Sequence, residues 1–67
     1  MSFSEALKEL KNGSRIKRST WGGYWTLEEI EGLDRKIIVA TLKGTGERVP
    51  ATAYQEDILA EDWEVIE

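Results

Sequence analysis

Ser2-Phe3-Ser4-Glu5-Ala6-Leu7-Lys8-Glu9-Leu10-Lys11-Asn12-Gly13 is the stretch from which the fold is read. Ser2-x-x-Glu5 has the spacing of a capping box, in which each side chain satisfies the other residue's free backbone N–H. Phe3, Ala6, Leu7 and Leu10 recur at i, i+3, i+4 and i+7, which puts one apolar stripe on a helix. Lys11 suits the negative C-terminal end. Asn12-Gly13 is the stop signal, since glycine takes the left-handed C-cap conformation without a side-chain clash. The stretch predicts one amphipathic helix that needs a partner layer.

Outward from that helix the period changes to two. Arg15-Ile16-Lys17-Arg18 reads as a short, mostly polar strand near a sheet edge. Trp21-Gly22-Gly23-Tyr24-Trp25 reads as a turn opening into a strand that runs to about Ile30, although Leu27-Glu28-Glu29-Ile30 also has helical spacing. Glu31-Gly32-Leu33-Asp34 is a turn. Lys36 to Leu42 (KIIVATL) is β-branched and apolar, the strongest strand signal in the chain. Lys43-Gly44-Thr45-Gly46-Glu47 is a hairpin loop leading to a short strand at Arg48-Val49, which Pro50 stops. Thr52-x-x-Gln55 is a second capping-box spacing, with Ile58 and Leu59 as the apolar face of a small helix. Trp63 and Val65 then alternate with acids in a last strand. The expectation is a single α+β domain over residues 1–67. Its N-terminal helix packs on an antiparallel sheet of four to five short strands, with a short second helix before the last strand.

Composition narrows the function. The 67 residues hold thirteen acids, nine bases, no cysteine and no histidine. Disulfides, thiolate nucleophiles and Cys/His metal sites are therefore excluded, as are Ser/His/Asp and Cys/His catalytic sets. Lys43-Gly44-Thr45-Gly46 lacks the order and following helix of a phosphate loop and reads as a hairpin turn. The adjacent acids Glu28-Glu29 and Glu61-Asp62 read as solvated. No enzyme, no metal and no cofactor is expected. No apolar run approaches the ~20 residues of a membrane span. Met1 to Glu5 has no basic start or apolar stretch of a signal peptide, so a cytoplasmic setting is expected. A chain this short buries only about 60% of its unfolded surface, and the staple left to it is self-association.

The charge is polarised along the chain. Residues 1–20 carry five bases and two acids, whereas residues 53–67 carry six acids and no base. The N-terminal part is thus able to face the C-terminal part, in the same subunit or in a partner, the other reading being a solvated surface. Binding to a nucleic-acid polymer is disfavoured by the net charge of −4. Among three tryptophans, Trp63 reads as core. Trp21 lies beside two glycines and just beyond Arg15, Lys17 and Arg18, a setting that suits a planar ring carrying phosphate. The other reading has Trp21 plug the sheet end or a subunit interface. The residues alone describe a small binding or assembly module.

Two blocks carry a resemblance. Phe3-x-x-Ala6-Leu7-x-x-Leu10-Lys11-x-Gly13-x-x-Ile16-x-Arg18-x-x-Trp21 resembles the opening of a family of small phage and prophage proteins. Val49-Pro50-x-x-Ala53-x-Gln55-x-Asp57-Ile58-Leu59-Ala60-Glu61-Asp62-Trp63-Glu64-Val65 is similar to its closing motif. The family is that of Thoeris anti-defence protein two. The resemblance implies a non-enzymatic sponge, at work in the infected bacterial host, that holds a cyclic ADP-ribose-type or related cyclic nucleotide immune signal without cleaving it. It also implies a homo-oligomer, dimer or tetramer, with pockets where subunits meet. The positions it carries over are Arg18, Trp21, Gly22, Ala53, Gln55 and Asp57. In that reading Trp21 stacks on the base, Arg18 balances the diphosphate, Gln55 and Asp57 meet ribose hydroxyls and base edges, and Gly22 admits the ligand backbone. The family's Asn-Gly-Lys-Gly after Trp21 is here Gly22-Gly23-Tyr24-Trp25, so a polar side chain and a cation are missing. Ala51 and Tyr54 stand where Trp and Ser are common, a loop is shorter, and Tyr24 and Trp25 are the candidate replacements for the lost aromatic. The alternative function is a small acidic protein–protein module, an adaptor or inhibitor docking through its acidic C-terminal third.

Overall fold

The computed structural model describes residues 1–66. The chain runs α1 (Phe3–Lys11), β1 (Arg15–Arg18), β2 (Tyr24–Glu29), β3 (Lys36–Thr41), β4 (Arg48–Pro50), α2 (Gln55–Leu59) and β5 (Trp63–Ile66). The five strands form one antiparallel sheet in the order β4-β3-β2-β1-β5, the α+β arrangement expected from the sequence. At the start of α1 the Glu5 N–H donates to Ser2 Oγ (3.2 Å) and the Ser2 N–H to Glu5 Oε1 (2.8 Å), so the capping box forms. At its end Gly13 takes φ 98°, and the N–H groups of Gly13 and Ser14 donate back to Leu10 and Glu9.

Pairing register assigns the faces. Trp25 lies opposite Ile16 and Ala40, Leu27 opposite Ile38, Val49 opposite Ala40, and Val65 opposite Ile16. These residues share the inner face, because side chains alternate with a period of two. The apolar stripe of α1 covers that face, and the core joins Ala6 and Leu10 to Ile16, Trp25 and Trp63. Trp63 is 2% exposed, as its alternating strand predicted. Its indole N–H donates to the Asp57 carbonyl at 2.8 Å, which satisfies the one polar group the ring brings inside.

Pairing and capping settle four local readings. β1 is the next-to-edge strand, between β2 and the edge strand β5, where Lys17 pairs with Glu64 of β5 and Arg18 with Asp62 just before it. The Leu27–Ile30 ambiguity resolves as strand through Glu29, with Leu27 on the core and Glu28 opposite Ile37. Pro50 is the last residue of β4 rather than the one after it: it pairs with Val39, and the Ala51 N–H donates to the Ile38 carbonyl at 2.9 Å. An edge strand tolerates the missing proline N–H. The second helix is capped by Tyr54 rather than Thr52, and the Tyr54 N–H donates to Asp57 Oδ2 at 3.1 Å. Its inward residue is therefore Asp57, while Ile58 and Leu59 point to solvent, 47% and 75% exposed.

Candidate functional site

The basic N-terminal and acidic C-terminal segments meet inside one subunit. Arg18 Nε donates to Asp62 Oδ1 at 2.6 Å and Nη1 to Asp57 Oδ1 at 2.8 Å. Lys17 pairs with Glu64 at 3.4 Å on the opposite sheet face. Ser19 Oγ donates to the other oxygen of Asp62 at 2.6 Å. That hydroxyl first, and the Arg18 guanidinium second, hold the Asp62 carboxyl below its ordinary range, while Asp62 in turn raises Arg18. Asp57 is 5% exposed, with one oxygen on Arg18 and the other on the N-terminal backbone of α2. The ionic clasp fastens α2 and β5 to β1.

Beside the clasp opens a cleft of about 760 Å³, within the range of small-molecule sites. One wall is the link between β1 and β2. There Trp21 packs tilted on Trp25 (centroids 5.1 Å apart) and edge-on against Trp63 (5.2 Å, 81°). Next to it Gly23 lies flat against β3, where a β-carbon would collide with the Thr41 carbonyl oxygen, so only glycine fits. The facing wall runs from Val49 through Thr52 to Tyr54, Glu56 and Asp57 at the start of α2. Leu42 and Lys43, at the head of the β3–β4 hairpin, close one end.

Of the positions singled out in the sequence, Trp21, Gly22 and Asp57 line this cleft. Asp57 does so with both carboxylate oxygens already engaged within the chain. Arg18 stands behind Asp57 with two nitrogens committed to carboxylates, and it does not line the cleft. Ala53 and Gln55 are exposed and also lie outside the lining. Sequence reasoning missed Lys43 and Glu56. Lys43 was legible in the hairpin register: Tyr24 opposite Thr41 sets Gly22 opposite Lys43.

The two motif blocks are therefore neighbours in space, joined through Arg18, and the cleft lies along their seam. The sequence profile of the Thoeris anti-defense 2-like domain matches residues 1–66. The chain belongs to the Thoeris anti-defense 2-like family. Membership supports a Thoeris anti-defence role. No curated protein matches the chain. Gly22, Tyr24, Trp25, Ala51 and Tyr54, the positions at which the sequence departs from the pattern it resembles, all line the cleft. Among the described residues, no group of three or more acids is placed to hold a metal ion. No helix among them is long and apolar enough to cross a membrane.

Proposed function

We infer that this Thoeris anti-defense 2-like chain is a sponge that binds a cyclic ADP-ribose-type or related cyclic nucleotide immune signal and keeps it intact. The observation that carries the reading is the cleft between Trp21 and the segment from Val49 to Asp57, aromatic on one side and polar at the start of α2. A planar base fits against an indole, and the flanking polar groups fix its orientation. The carboxylates nearest the cleft speak for holding rather than cleaving. Of the two that line it, Asp57 is tied up with Arg18, which leaves Glu56 without a second free carboxyl for paired acid–base work.

A second copy of the chain is the partner that completes the site. Tyr54, which lines the cleft, and Ile58 and Leu59, in the helix that follows it, are 65%, 47% and 75% exposed. Such a cluster on so small a domain supports association into a dimer or tetramer with the cleft at the seam. The place of action is the cytoplasm of the infected host. The adaptor alternative draws less support, because Asp57, Asp62 and Glu64 of the acidic C-terminal third are already paired with Arg18 and Lys17.

The test is a calorimetric titration of purified protein with cyclic ADP-ribose isomers and cyclic oligonucleotides, followed by heat release of what was bound. The reading requires heat from at least one member and recovery of that nucleotide unchanged. Silence across the panel defeats it, and a chemically altered product makes the chain a catalyst. Salt-sensitive capture of a basic host protein without any nucleotide effect favours the adaptor.

A further inference from the structure

Resting on that reading, we propose that Lys43, seated across Gly22, is the cation that meets the ligand's phosphate. Arg18, the cation that the motif suggests for this task, is held by Asp57 and Asp62 behind the cleft wall. Among the described residues, the charged side chains lining the cleft are Lys43, Glu56 and Asp57, and Asp57 is paired with Arg18. Among the described residues, Lys43 enters no salt bridge. Its ammonium is left for a guest.

The stem of Lys43 is placed by the backbone beneath it. A β-carbon on Gly22 would fall on Lys43 Cδ and lie 2.9 Å from its Cβ and 3.0 Å from its Cγ. The lysine methylenes thus occupy the room that a side chain at position 22 would take. The hairpin that presents Lys43 is closed by the Leu42 N–H to the Glu47 carbonyl (2.8 Å) and the Gly46 N–H to the Leu42 carbonyl (3.0 Å). A lysine whose stem is already packed loses less freedom when it grips an anion. Glu56 lines the same cleft from α2. The cleft therefore offers both signs of charge, with Lys43 to take a phosphate and Glu56 to take hydroxyl or amine donors. Gly22 is in this account a seat for Lys43 and not a gap for the ligand.

The experiment is a titration with the panel of cyclic ADP-ribose isomers, at several salt concentrations, of the native chain, Lys43→Gln, Gly22→Ala and the double variant. Lys43→Gln is expected to weaken the binding member by about tenfold or more and to flatten the salt dependence. Gly22→Ala is expected to cost about threefold in binding and to lower thermal stability slightly, because the new methyl meets Lys43 Cβ at 2.9 Å although Gly22 has no positive φ. In the double variant the alanine is expected to add no further loss. If the native chain binds and Lys43→Gln binds equally well, or weakens without a change in salt dependence, the phosphate role of Lys43 is overturned while the cleft reading stands. Additive losses overturn the seat. If no member binds the native chain, both the proposal and the reading beneath it fall.

Discussion

Single residues separate what holds this fold from what is left for a guest. Gly23 belongs to the first group. Alanine there drives a methyl into the Thr41 carbonyl, and the β2–β3 pairing has to give way. Gly23→Ala is expected to destabilise by about 2 kcal/mol, read as a lowered urea midpoint. Trp21 belongs to both groups: it lines the cleft and packs on Trp25 and Trp63. Trp21→Ala is therefore expected to abolish nucleotide binding and to cost about 1–2 kcal/mol, some 5–10 °C in Tm for a domain of this size. Trp21→Phe is expected to keep most of the stability and part of the binding; equal binding by Trp21→Ala and the native chain would move the site elsewhere. The packing of Trp21 on Trp25 and Trp63 was not legible in composition, which does not reveal how much of a ring its neighbours cover. Arg18 was legible as an important cation but not as a saturated one. Its two acids lie 39 and 44 residues away, and only the β1–β5 pairing brings them together.

Elements were legible where local rules act alone. α1 carries its cap, stripe and stop within twelve residues, and β3 is written in β-branched residues. α2 was misread because its direction is set at long range. Asp57 turns inward to reach Arg18 and the Tyr54 N–H, and that rotates Ile58 and Leu59 outward. The clasp between β1 and the last two elements also sets the acid response. Asp62 is held below its ordinary range by Ser19 and Arg18, and Glu28 by Thr26 and then Arg48. Depressed carboxylates stabilise the fold when ionised, so their contribution is present at neutral pH and is lost as pH falls through their folded values. Stability is expected to decline below about pH 4, followed by urea unfolding from pH 7 to pH 3. Asp62→Asn is expected to lower stability at pH 7 and to flatten that decline. An unchanged acid limb in Asp62→Asn would show that the clasp does not set it.

At the scale of the whole molecule, the chain divides its surface between a core it can close and an apolar edge it leaves open. α1 and the inner sheet face bury Trp25 and Trp63, with Trp21 packed half-buried against them, yet Tyr54, Ile58 and Leu59 stay exposed. Replacing Leu59 by Glu is expected to shift the protein from an oligomer to a monomer in sedimentation velocity. Its circular dichroism should stay the same, since the residue is 75% exposed in the isolated subunit. A native chain that already sediments as a monomer would remove the second copy from the account. The central claim is that the cleft beside Trp21 grips a cyclic nucleotide, and a crystal structure of the protein soaked with the tightest-binding panel member tests it most directly. The account predicts the base against Trp21, a phosphate at the Lys43 end and an intact ring; a nucleotide on any other face, or an empty cleft at saturating concentration, would contradict it.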